Sequence, residues 1–245
     1  MNTLIPIVAG WILSIMLVLA PPGRETFIML KEAGESKAQA MERYEQIANE
    51  LGRVVIEETP LNGSRAFTAA LLVSLTFHES AGWRRDVDLG IARLKLARTG
   101  WQDHGRSWCL GQWNGGLKVA ADGQPQSVLT TPEGWTGPDL VADRHKCLIT
   151  TLNAAKRSFA SCATLPLDKK LSVYAAGICG SEDGQRKSER RVKFAKVLLG
   201  RHPFPELPKT PPPEAKAPGM AETPRRSRPL VGGLDLVVPV GVDYD

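Results

Sequence analysis

Hydrophobic and polar positions fall into three patterns along the chain: an unbroken apolar run, several helical stripes, and stretches with no period. Leu4 to Ala20 is the apolar run, interrupted by Pro6, Gly10 and Ser14 and closed by Pro21-Pro22-Gly23. It is at the short end of what spans a bilayer and slightly long for a signal-peptide core. Both readings mean export; a buried first helix of a soluble protein is the alternative. Met1-Asn2-Thr3 carries no Lys or Arg and no small-x-small cleavage site is clear, so residues 1–23 are expected to act as an uncleaved anchor rather than a removed signal. Arg24, the first charge after the run, leaves the orientation open.

Helical stripes follow. Glu35 to Glu58 places Met41, Tyr44, Ile47, Ala48, Leu51, Val54 and Val55 on one face, which predicts an amphipathic helix within a lead-in segment, residues 24–60. Thr59-Pro60-Leu61-Asn62-Gly63 breaks the pattern, and Ser64 is placed to cap a second helix ending near Ser80. That helix is apolar almost all round and delivers Glu79 at its end. Pro138 to about Phe159 predicts a further helix, with Leu140, Val141, Cys147, Leu148, Thr151, Leu152 and Ala155 inward. Pro166 to Ile178 predicts another, and Arg186 to Leu199 a strongly basic amphipathic one whose cations form a solvated face or attract an anionic polymer.

The remaining stretches have no period. Ala81 to Asn114 holds five glycines and four of the six tryptophans. Indole faces suit sugar rings, so this segment is expected to mix site wall and core plug. Gly115 to Gly137 reads as a loop or insertion. Ten prolines between Pro203 and Pro239 leave no apolar stripe, which predicts an extended tail over residues 201–245. The whole is a mostly α architecture with a small irregular or β-hairpin segment beside the helix that carries Glu79.

Charge and cysteines narrow the setting. A formal net charge of +5 suits an anionic partner such as a cell wall or membrane surface; no zinc-ligand spacing or aromatic-basic repeat points to nucleic acid, and neither metal nor cofactor is expected. His145 has no partner at metal-ligand spacing. Cys109, Cys147, Cys162 and Cys179 include no C-x-x-C, so two disulfides in an oxidising compartment are expected. Of three possible pairings, Cys109 with Cys147 and Cys162 with Cys179 is preferred, because the second closes a short helix-loop-helix unit.

Burial puts Glu79 at the mouth of a core, where a carboxyl group keeps its proton to higher pH and can donate it to a leaving oxygen. Three spaced pieces extend this reading: His78-Glu79-Ser80, Cys109-Leu110-Gly111-Gln112-Trp113-Asn114 and Val173-Tyr174-Ala175-Ala176-Gly177. Their order and rough separations resemble the Glu-Ser, Gly-Leu-Met-Gln and Tyr-Asn-Ala-Gly motifs of lysozyme-like lytic transglycosylases, relatives of goose-type lysozyme that cleave peptidoglycan. The resemblance covers about Leu61 to Leu199. Cys109 and Gly111 depart from the second motif, and Ala175 stands where the third has asparagine.

The resemblance implies a lysozyme-like α+β domain over residues 61–200 that cuts the β-1,4 bond between N-acetylmuramic acid and N-acetylglucosamine. In it Glu79 is general acid and base, Ser80 and Gln112 hold or orient sugar, and Tyr174 positions Glu79 through its hydroxyl. Trp108, Trp113 and Asn114 are the further substrate-binding candidates. A hydrolase would need a second carboxylate to direct water, with Asp86 ahead of Asp88 as candidates. The reading of a different class is a non-catalytic wall-binding or envelope assembly protein. A phage or secretion-system setting is compatible with the enzyme.

Overall fold

Everything is arranged around the helix that ends at Glu79. In the computed structural model the described residues are 3–22, 35–90, 107–114, 118–119, 125–126 and 130–208, all within one unit spanning Met1–Pro208. Helix α3, Arg65–Glu79, has ten consecutive buried residues from Phe67 to Thr76. A helix apolar all round has to be enclosed by others. Its start is fixed by Ser64, whose hydroxyl accepts from the Phe67 amide at 3.2 Å.

The other described helices are α1, Leu4–Leu19; α2, Lys37–Glu57; α4, Arg85–Asp88; α5, Gly137–Ala142; α6, Arg144–Ser161; α7, Ser172–Ala176; and α8, Glu182–Arg201, with 3-10 turns at Leu61–Gly63 and Leu167–Lys169. The principal partners of α3 are α8 and α2, with further contacts to α1 and α6. Two antiparallel pairs complete the described elements: β1, Ser107–Trp108, with β2, Trp113–Asn114; and β3, Lys118–Val119, with β4, Pro125–Gln126. The fold is thus mostly helical, as the periodicity predicts.

The ends of the chain differ from expectation. Helix α1 buries Val8, Ile12, Ile15 and Met16, and its principal partner is α2. The approach is close at Gly52, where an added Cβ would meet the Ala9 amide nitrogen at 3.0 Å. Residues 1–23 and 24–60 are therefore not segments apart from a domain at 61–200; the described parts of both contribute to its core. No helix among the described residues is long and apolar enough to cross a membrane. The packed region also runs beyond 201. The Trp11 indole Nε1 donates to the His202 carbonyl at 3.1 Å, and its ring meets Phe204 edge to face at 5.2 Å. Tail residues 209–245 and Trp101 lie outside the described residues.

Periodicity also merged elements that are separate. The helix expected over 138–159 is two, because Asp143 adopts an extended backbone and caps α6 by accepting from the Lys146 amide. Over 166–178 there is a 3-10 turn and the five-residue α7, ended by Gly177 in the left-handed region. Asp86 and Asp88 belong to a helical turn, α4. Both disulfides pair as preferred, Cys109 with Cys147 and Cys162 with Cys179.

Candidate active site

Glu79 is the last residue of α3, and its side chain is 18% exposed. Its carboxylate Oε1 accepts a short hydrogen bond from Nη2 of Arg191 on α8, whose own side chain is 12% exposed. Burial raises the Glu79 pKa; the charge and hydrogen bond of Arg191, then the charge of Lys187, pull it back without cancelling that rise. A carboxyl group in this position is nearer to working as an acid at neutral pH than an ordinary glutamate.

The chain leaves Glu79 through a turn that is fixed on every side. Ala81, Gly82 and Trp83 all have positive φ, which costs about 1–3 kcal/mol for each non-glycine residue. Ser80 is fully buried; its hydroxyl donates to the Thr76 carbonyl at 2.5 Å and accepts from the Trp83 amide at 2.8 Å. The Trp83 indole donates to Thr76 Oγ1, Arg43 donates to the Trp83 carbonyl, and the Tyr44 hydroxyl to the Gly82 carbonyl. Ser80 therefore fixes the turn rather than holding sugar, which corrects the role expected of it. Strain of this kind persists only where surrounding contacts over-determine the backbone, and it collects at functional sites.

The second piece shows the same property. Cys109 and Gln112 have positive φ, and the Cys109 carbonyl accepts from both the amide and the side-chain nitrogen of Gln112, at 3.0 and 2.9 Å. The turn is clamped to α6 by the Cys109–Cys147 disulfide and by Gly111, where an added Cβ would lie 1.8 Å from Thr151 Oγ1. No side chain fits there, which is a local reason for glycine where the resembling motif has methionine. Four of the five positive-φ non-glycine residues in the described parts thus belong to these two turns.

Tyr174 joins the pieces, but through a different bond from the one expected. Its hydroxyl donates to the Gly111 carbonyl at 2.7 Å. Burial raises its pKa well above the usual phenol value, with the nearby charge of Glu79 adding to the rise. Tyr174 therefore ties α7 to the Gln112 turn and lies within the electrostatic reach of Glu79. Phe77, His78, Trp83 and Phe194 form an aromatic cluster alongside, with Phe77 and Phe194 stacked at 5.6 Å.

The remaining candidates separate. Trp108 is buried against the backbone of Gly137 and is a core plug, not a site wall. Trp113 is partly buried and Asn114 exposed, both on β2. Asp86 is held by Arg84 through both of its oxygens. Asp88, with a side chain 0% exposed, is gripped by Arg144 at 2.7 and 2.9 Å and approached by Arg43 at 3.9 Å. Both carboxylates are occupied by guanidinium groups, which removes the water-directing geometry expected of them. His145 lies 3.1 Å from Glu50, and no group of ligands for a metal occurs among the described residues. A cleft of about 370 Å³ at the other end of α3, lined by Asn62, Lys156, Phe159 and Lys170 among others, contains no carboxylate.

Arg191 was hidden in the sequence among the cations of α8. Its spacing was the available signal: it falls between Ser188, Val192 and Ala195, all buried, so it borders the buried stripe, whereas Arg186, Arg190 and Lys193 are exposed. No family model matches the chain, and neither a curated protein nor a solved structure matches it.

Proposed function

We propose that this is an exported, lysozyme-like enzyme that cleaves the glycan strand of peptidoglycan as a lytic transglycosylase, with Glu79 as its general acid and base. The observation that carries this reading is the meeting of three distant pieces of sequence. Glu79 at the end of α3, the Gln112 turn and Tyr174 on α7 are joined by the Tyr174 to Gly111 hydrogen bond and by the field of Glu79 on Tyr174. The raised Glu79 pKa and two strained turns support it.

In the proposed reaction the protonated Glu79 gives its proton to the glycosidic oxygen between N-acetylmuramic acid and N-acetylglucosamine, and the C1–O bond breaks. The resulting carboxylate takes the proton of the C6 hydroxyl as O6 closes on C1. Glu79 ends as it began, and no water is consumed. One carboxyl group suffices, which agrees with Asp86 and Asp88 being engaged by arginines.

Mass spectrometry of a purified peptidoglycan digest tests the reading. Muropeptides ending in 1,6-anhydro sugar, lighter by one water than reducing ends, are expected from the wild type and not from Glu79→Gln. Reducing ends alone would mean hydrolysis. A protein that binds sacculi and releases nothing would be a wall-binding protein instead.

A further inference from the structure

The guanidinium of Arg191 is only half used. Its Nε and Nη2 form one edge of the fork, which matches the two oxygens of a single carboxylate. Three other arginines fill that same edge: Arg144 grips both oxygens of Asp88 with Nε and Nη2, and Arg43 does so with Glu35 and Arg84 with Asp86. In Arg191, Nη2 reaches Oε1 of Glu79, while the buried Nε has no hydrogen-bond partner. A buried donor without a partner is costly and calls for a physical reason, of which a group that binds there is one. The residue itself is firmly placed, since its backbone carbonyl accepts from the Ser74 hydroxyl of α3 at 2.8 Å. Exposed Lys187 and Arg190 flank it on α8.

We propose that Arg191 is a substrate-operated latch: it holds Glu79 in the unliganded protein and, when a glycan strand binds, turns its Nε–Nη2 edge to a carboxylate of the peptide stem, releasing Glu79 to act as acid. The proposal rests on the peptidoglycan reading and specifies its substrate class, a strand whose stems carry free carboxylates. A stem carboxylate that takes both Nε and Nη2 draws the guanidinium toward itself and away from Glu79. Once the guanidinium is neutralised by the stem, Glu79 keeps its burial and loses the main charge that opposes protonation.

The groups that act on Glu79 are Arg191 and Lys187 of α8, and Tyr174 of α7 feels its charge in turn. His78, its neighbour on α3, faces Arg191 and Arg190. The Cys109–Gln112 turn carries no ionisable side chain, its cysteine being in a disulfide. The titration of Glu79 is therefore a direct readout of the latch.

The test follows the Glu79 carboxyl carbon by NMR in glutamate-labelled full-length protein, with Glu79→Gln assigning the resonance. Arg191→Gln is expected to move the Glu79 pKa up, and Arg191→Lys to leave it near the wild-type position. Muramyl dipeptide, which carries a free carboxylate, is expected to move the wild-type pKa up, and the same molecule with that carboxyl amidated to leave it unchanged. In Arg191→Gln neither probe should add a shift. Equal shifts from both probes, no shift at saturation, or an unmoved pKa in Arg191→Gln would overturn the latch. If Arg191→Gln does not fold, the two probes on the wild type and on Arg191→Lys decide. Kinetics supply a second readout: the alkaline limb of kcat/KM, which reports the free enzyme, should rise in Arg191→Gln, while that of kcat stays close to wild type. None of the NMR outcomes needs turnover. Displacement without cleavage would retain the latch and reject the enzyme; cleavage without displacement would do the reverse.

Discussion

Asp88 and Glu79 each meet an arginine, and they are held in opposite ways. Asp88 is sealed: its side chain is wholly buried, both oxygens are bonded by Arg144, and Arg43 stands behind. Glu79 is held at one oxygen by one nitrogen of Arg191, in a position open enough for a substrate to reach. A carboxylate bonded at both oxygens and wholly buried serves to lock elements together, here α4 to α6 and α2. A carboxylate with one contact at the edge of a core, its pKa raised by burial, is the one suited to giving up a proton. On the proposed function Glu79 is therefore the acid and Asp88 the tie.

The largest expected effect separates them by activity. Glu79→Gln should reduce peptidoglycan turnover by roughly 10²–10⁴-fold, the usual contribution of a positioned acid or base, with helicity unchanged by circular dichroism. Asp88→Ala should leave activity per folded molecule intact and lower unfolding free energy by about 1–3 kcal/mol, because it removes the bidentate partner of the part-exposed Arg144. Denaturant midpoints beside muropeptide release distinguish the two. An Asp88 variant that is stable and inactive would reverse their roles.

The same contrast explains what was legible in the sequence. The apolar run of α3, the Ser64 cap, the α2 stripe and both disulfides leave local patterns, and each was readable. The partners that decide what the acids do leave none: Arg191 lies 112 residues from Glu79 and Arg144 lies 56 from Asp88. A guanidinium in a helical stripe reads as surface until a distant element covers it. Asp86 and Asp88 are candidates in the sequence because nothing near them there shows that a single turn of helix presents both to arginines. Trp108 was ambiguous for a similar reason, since an indole that packs on the backbone of Gly137 and one that packs on a sugar have the same neighbours in sequence. Ser80 fell within a motif whose role came by resemblance, and the turn beyond Glu79 had already claimed its hydroxyl.

A smaller effect tests the link between the two halves of the site. Tyr174→Phe removes the hydroxyl that donates to the Gly111 carbonyl, and a buried hydrogen bond of this kind contributes about 1 kcal/mol. Thermal unfolding should show that loss. Because Tyr174 anchors the Gln112 turn and does not bond to Glu79, the pH profile of activity should keep the position of its alkaline limb, which Glu79 sets, and lose amplitude. A profile displaced along the pH axis would mean that the hydroxyl acts on Glu79 directly, and would restore the role first expected of it.

The smallest effect concerns His78, beside Glu79 on α3. Burial, then the charges of Arg191 and Arg190, lower its pKa to about 4 from an ordinary value of 6.5. Between those values the unfolded chain binds a proton that the folded protein does not, so stability rises with pH there. The contribution is complete above the upper value and is lost progressively as pH falls toward about 4. Glu79 has the opposite sign: its raised pKa makes the folded state the better proton binder, so its contribution falls as pH climbs above 4.5. In wild-type protein the two neighbours therefore offset one another across part of the window, and the difference between wild type and His78→Gln isolates the imidazole. His78 is partly exposed and solvent screens it, so the slope is small. The His78→Gln replacement also loses ring contacts with Phe77 and Phe194, which shifts stability by a constant and leaves the slope to report the proton. Unfolding free energies across the window should show the stability advantage of wild type over the variant shrinking on acidification. A constant difference would place His78 in a setting where it charges freely.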